Sequence, residues 1–203
     1  MQRPEILNKL KAATKHQHDY LESISHTKKI ADNSLTMEEY RHILLSNYYF
    51  HETFEKAVDS ILTDSQKAEL NWEARKKTHL LRADLETIGT DPFLLREGVF
   101  PALPMNTLEE VLGAMYVTEG STLGGAVIVR HLRQNPNLAS AREFKFYGCY
   151  GEQIGAMWGQ YAMYVASHAT TPQAEEIIVK AGVDTFEHFG KCNLQAQQTL
   201  LAA

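Results

Sequence analysis

Residues 108–134 read LEEVLGAMYVTEGSTLGGAVIVRHLRQ, a helical pattern interrupted by four glycines. Thr107 followed by Glu110 is a capping-box pattern, so the helix has a defined start. An interior glycine costs about 0.8–1 kcal/mol relative to alanine, so Gly120, Gly124 and Gly125 together give up about 2–3 kcal/mol. Something in the fold must compensate. Gly120 and Gly124 are four apart and share a face, which makes a surface without side chains on which another body can approach the backbone. That body is either a second helix packed through small residues or a flat ligand lying under a bend in the helix. The spacing is not the dinucleotide fingerprint, which requires a preceding strand. Ser121, between the glycines, is placed to hold a water molecule.

The element that would face this one is near the N-terminus. A helix predicted from Pro4 to about Ser23 contains LKAATKHQHDYLE at 10–22, and at 100° per residue Leu7, Lys11, Thr14, His18, Leu21 and Glu22 fall on one side. His18 therefore points inward. His16, about 200° further round, does not share its site. Lys11 stands about 10 Å before His18 along the axis, comparable to the distance from a heme iron to a propionate carboxylate. Spacing alone leaves His18 as a hydrogen-bonded core histidine or a metal ligand, and Lys11 as a side chain reaching for water.

The remaining chain is also helical in pattern. Thr36 with Glu39 caps a helix to about Thr63, and a further helix is predicted from about Ser65 to Ile88 with Gly89 as its stop. DPFLLREGVFPALP at 91–104 reads as a loop with a short helical turn around Leu94 to Arg96. Gly148, Gly151 and Gly155 break the chain before a helix from about Gln153 to His168, and Thr171-Pro172 opens a last helix to the C-terminus. No alternating strand, repeat or low-complexity segment is present, so the expected fold is all-α and a single domain over 1–203.

Composition narrows the function. A net charge of −5 disfavours general nucleic-acid binding, and no apolar run approaches the roughly 20 residues of a membrane span. The N-terminus carries charges early and does not read as a secretory signal, so the cytoplasm is the expected location. Cys149 and Cys192 are 43 residues apart with no neighbour, which suggests neither a disulfide framework nor a zinc knuckle.

LKAATKHQHDYLE resembles the proximal-helix motif of heme oxygenases, and YVTEGSTLGGAVIVRHL the distal-helix motif of bacterial members, particularly those paired with bacteriophytochromes. FYGCYGEQIGAMWGQY at 146–161 and VDTFEHFGK at 183–191 are similar to the corresponding C-terminal segments. The resemblance implies a multi-helical bundle with heme b, at once cofactor and substrate, sandwiched between a proximal and a distal helix. It implies cleavage of the macrocycle with O2 to biliverdin, CO and ferrous iron, with electrons from a separate ferredoxin or reductase. By position His18 is the iron ligand, Lys11 a propionate partner, and Glu22 the acid that orients the imidazole. Thr14, Tyr116 and Arg130 complete the expected heme contacts, while Gly120, Ser121, Gly124 and Gly125 form the distal catalytic wall. Ser121 stands where mammalian members have an aspartate. The penultimate helix, Gly155-Ala156-Met157-Trp158-Gly159-Gln160, lacks the basic residues that mammalian-type members use for the propionates. Arg130, His131, Arg133 and Lys145 are then the alternatives for that role. The rival readings are a heme carrier or sensor without turnover, a helical enzyme with another substrate, and a structural module whose glycines only pack helices.

Overall fold

The computed structural model describes residues 4–95, 100, 102–141 and 143–202, and these form helices and turns without a strand. The chain opens with α1 (Glu5–Ala13) and α2 (Lys15–Ile24), where one helix was expected. The break is at Thr14, whose hydroxyl donates to the Leu10 carbonyl at 2.8 Å, a local bond that bends a helix without ending its course. A short α3 (Thr27–Ala31) leads to α4 (Met37–Ile61), whose Thr36 and Glu39 form the expected capping box. Burial of Tyr40, Tyr48, Tyr49, Phe50 and Phe54 makes α4 the spine of the core.

The helix expected from Ser65 to Ile88 is instead three pieces: α5 (Asp64–Glu69), a 3-10 turn (Trp72–Arg75) and α6 (Thr78–Thr87). Asn71 takes a left-handed conformation with φ 51°, and the buried Trp72 donates its indole N–H to Asp59 at 2.8 Å. Burying Trp72 and Arg75 thus outweighs helical continuity. Gly89 closes α6 with φ 68°, as predicted. A 3-10 turn covers Pro92–Leu95, while Arg96 lies outside the described residues.

The glycine-bearing helix is also divided, into α7 (Leu108–Thr122) and α8 (Gly125–Gln134), with a bend of 42° at Leu123 and Gly124. α9 (Ile154–His168) and α10 (Pro172–Leu201) complete the bundle, and α10 crosses both α7 and α4. Among the described residues no single helix is long and apolar enough to cross a membrane.

Close packing does explain one glycine of the opening motif. A Cβ on Gly113 would lie 2.2 Å from the Ile178 carbonyl oxygen and 2.7 Å from Ala181 Cβ, so α7 and α10 meet backbone to backbone. Gly182 faces the same crossing, its virtual Cβ 3.4 Å from the Gly113 carbonyl oxygen, and it also admits Leu10 of α1 at 2.8 Å. Gly113→Ala should therefore lower stability by about 1–3 kcal/mol through overpacking. Gly159→Ala, with nothing within 4 Å of its Cβ, should be neutral or stabilising by up to about 1 kcal/mol. Thermal or urea melts of the ligand-free chain decide it, and equal effects would contradict this packing account.

The same core is sensitive to acid. His188 packs against Phe50 and Phe100, and burial, with a smaller push from Lys191, lowers its pKa to about 4. The fold favours the neutral ring, so this stability is intact above an unfolded-state pKa of about 6.5 and is lost as pH falls toward 4. Melting temperatures of the ligand-free chain should drop across that window, and drop less in His188→Leu; parallel curves would contradict the assignment.

Candidate functional site

A cavity of about 960 Å³ runs between α1 and α2 on one side and α7 and α8 on the other. Volumes of this order hold a ligand much larger than a simple metabolite. Its surface is mainly apolar, with Leu21, Val117, Ile128, Phe186 and Phe189 among the walls, and polar side chains such as Lys11, His18 and Asn47 interrupt it. Lys11, Thr14, His18, Glu22, Tyr116, Gly120, Ser121 and Gly125 all reach it, so most of the site residues expected from sequence are brought together.

The α2 wall offers three metal-ligating side chains, His18, Asp19 and Glu22, of which His18 is the imidazole. His18 has 53% of its side chain exposed and stands edge-on to the Phe186 ring, with centroids 5.9 Å apart. Its Nδ1 is 3.8 Å from Glu22 and 3.9 Å from Asp19. Among the described residues Nε2 has no hydrogen-bond partner, so one ring nitrogen faces carboxylates and the other is available to a ligand. Lys11, exposed on α1 beside this wall, has no carboxylate partner among the described residues, whereas Lys15 pairs with Asp19. Thr14 is buried, with its hydroxyl engaged by the Leu10 carbonyl.

The opposing wall is built on α7. A Cβ on Gly120 would meet only Trp158, at 3.9 Å, so glycine here opens space on the cavity instead of relieving a crowded contact. Gly125 differs, because its Cβ would lie 2.5 Å from the Tyr147 carbonyl oxygen. It admits the 146–147 segment, which Asp84 fixes by accepting from Lys145 N–H at 3.0 Å and Phe146 N–H at 2.9 Å. Gly124 does not line the cavity and sits at the bend. Ser121 donates to the Thr118 carbonyl at 2.8 Å and keeps its lone pairs.

The family model for heme oxygenase matches residues 5–91 and 100–194. The chain belongs to the heme oxygenase family. A heme oxygenase from Xanthomonas campestris pv. campestris is 30% identical over 124 residues, which cover 60% of this chain and 69% of that one. Two solved structures share the fold. The NO- and CO-bound heme oxygenase from Neisseria meningitidis superposes with a TM-score of 0.69 at 17% identity, over 98% of this chain and 93% of the other. Heme oxygenase-1 from the cyanobacterium Synechocystis, in complex with heme, gives 0.67 at 14% identity, over 97% and 94%.

The residues present fit the group this family implies. An apolar slot, a histidine with a free ring nitrogen, a side-chain-free patch at Gly120 and an unpaired lysine at the rim match the iron, faces and acid groups of a heme. Of the alternatives proposed for the propionates, Arg130, His131, Arg133 and Lys145 do not line this heme oxygenase cavity. Arg130 is exposed, His131 pairs with Asn33 at 3.1 Å, and Lys145 with Glu143 at 3.0 Å.

Sequence reading missed a second feature, directly behind the α7 wall. Glu119 is 1% exposed and accepts from Arg75, from Lys77 Nζ at 3.1 Å and from the Tyr150 hydroxyl at 2.9 Å. The signal was a lone acid in the mainly apolar run before Gly120, and its partners lie 31 to 44 residues away.

The two glycines of the wall should therefore respond differently. Gly125→Ala should destabilise the ligand-free protein by about 1–3 kcal/mol through its backbone collision. Gly120→Val should leave that stability nearly unchanged and weaken hemin binding at least tenfold. Paired melts and Soret titrations check this; a Gly120→Val protein that binds hemin like the parent would contradict the wall assignment.

Proposed function

We propose that the chain, as one heme-oxygenase-like domain, holds heme b between α2 and α7 with His18 as the iron ligand and degrades it to biliverdin, CO and ferrous iron. The observation that carries this reading is His18, with Nε2 free, across one cavity from Gly120. Bound heme supplies both the iron at which O2 is activated and the ring that is oxidised.

The chain's own residues supply ligation, orientation and exclusion of water. Glu22, 3.8 Å from His18 Nδ1, fixes the ring direction, either directly or through one water. Lys11 and Tyr116 hold the propionates at the rim. Val117, Ile128, Phe186 and Phe189 keep bulk water from the ring. Ser121 anchors water near the α7 wall, while the one buried acid beside it, Glu119, is turned away and occupied by cations. No carboxylic acid of α7 thus lines the cavity to deliver a proton early.

The sequence carries no flavin or iron–sulfur motif, which supports a separate ferredoxin or reductase as electron donor. The free thiols of Cys149 and Cys192 support a cytoplasmic location, and the likeness to bacteriophytochrome-associated members supports bilin supply for a photoreceptor.

The test adds hemin to the purified protein, records the Soret band, then supplies ascorbate or a reductase under O2 and follows biliverdin absorbance. A stable Soret band without bilin would make the chain a carrier. His18→Ala should lose the six-coordinate ferric spectrum and turnover, and added imidazole should restore both. Parent-like ligation in that variant would remove His18 from its role.

A further inference from the structure

Three cationic or phenolic groups converge on Glu119, and the proposed function uses none of them. Lys77 Nζ donates to the Arg75 carbonyl at 3.0 Å, to Glu119 at 3.1 Å and to the Tyr150 hydroxyl at 3.1 Å. Its three hydrogens thus meet three acceptors, although the side chain is only 1% exposed. Arg75 donates to Glu119, to the Leu70 carbonyl at 2.6 Å, to the Met157 carbonyl at 3.0 Å and to Gln160 at 3.1 Å. The other charge facing the set is Glu55, which accepts the backbone N–H groups of Lys77 and Thr78 and lies 3.7 Å from His51. Burial pushes the Glu55 carboxyl up, but His51 and these backbone donors hold it below its usual range.

The position of this cluster matters more than its size. Glu119 precedes Gly120, and Met157 precedes Trp158; Gly120 and Trp158 both line the cavity. One set of cations therefore grips the backbone or side chain directly behind two wall residues. Rotating α7 to bring a side chain onto the cavity would pull the Glu119 carboxylate off its donors, leaving buried charge unpaired. In this dry setting the charges of the set are little screened by solvent, and Lys77 offsets the Glu119 carboxylate that stands next to the wall residue Gly120.

We infer that Lys77 is a positioning residue of the distal wall: with Arg75 it locks Glu119, keeps Gly120 turned to the cavity, and sets the electric potential behind the bound iron. This rests on the heme-degradation reading. Left uncompensated, the Glu119 carboxylate would favour the ferric state, which carries one more positive charge than the ferrous state, so the Lys77 ammonium that offsets it eases the reduction the reaction requires.

The experiment is a spectroelectrochemical titration of hemin-loaded parent, Lys77→Met, Lys77→Arg and Lys76→Met. Lys76 is the control, because it points outward to Asp59 at 3.0 Å and Glu73 at 2.8 Å. Lys77→Met should shift the midpoint to more negative potential and broaden the bilin isomer distribution, while Lys77→Arg and Lys76→Met stay near the parent. A Lys77→Met midpoint no lower than that of Lys76→Met, or no recovery in Lys77→Arg, would overturn the inference. Circular dichroism and a Soret titration on each variant separate this outcome from failure to bind heme, which in the parent would instead remove the functional reading. Should Lys77→Met not fold, Tyr150→Phe carries the test by removing one hydroxyl from the lock. It should broaden the isomer distribution, and an unchanged distribution would overturn the role.

Discussion

An apolar slot of about 960 Å³ inside a chain of 203 residues is open only if its walls are held from behind, because burial of its lining would otherwise draw the helices together. The α7 wall is braced twice. At Gly113 its backbone lies directly on α10, and at Glu119 its side chain is gripped by Arg75, Lys77 and Tyr150. The unbraced stretch between these points and the bend at Gly124 is where Gly120 meets the cavity. Rigidity at the two ends allows a wall made of little more than backbone.

The α2 wall is built differently, and the contrast suits its task. Leu21 is its single buried residue, and His18, Asp19 and Glu22 stand exposed around the cavity mouth. A ligand that inserts here supplies the apolar contacts this helix lacks, so ligation and docking of α2 are coupled. Behind it α10 gives a more rigid support through Phe186 and Phe189.

Local grammar made much of this visible in sequence. The capping boxes at Thr36 and Thr107, the start at Thr171-Pro172 and the stop at Gly89 are all present, since each depends on residues within one helical turn. The helical period and the family motifs both singled out His18 and Gly120, and the structure brings both to one cavity. What remained hidden depends on distant partners. The breaks around Trp72 and Arg75 follow from burial against Phe54 and Glu119, and the use of Gly125 follows from a carbonyl at Tyr147. Arg130 resembled a heme contact because it lies within the distal motif, yet beyond the bend at Gly124 it is exposed and away from the cavity lining.

Everything chemical in this account follows from where the iron sits. Anomalous scattering at the iron edge from crystals of the hemin complex locates that atom without assumptions about the ring. A single peak in the slot, within about 2.0–2.2 Å of His18 Nε2 and with the Gly120 backbone on its far side, is the predicted result. An iron peak outside the slot, or one ligated by another side chain, would contradict it.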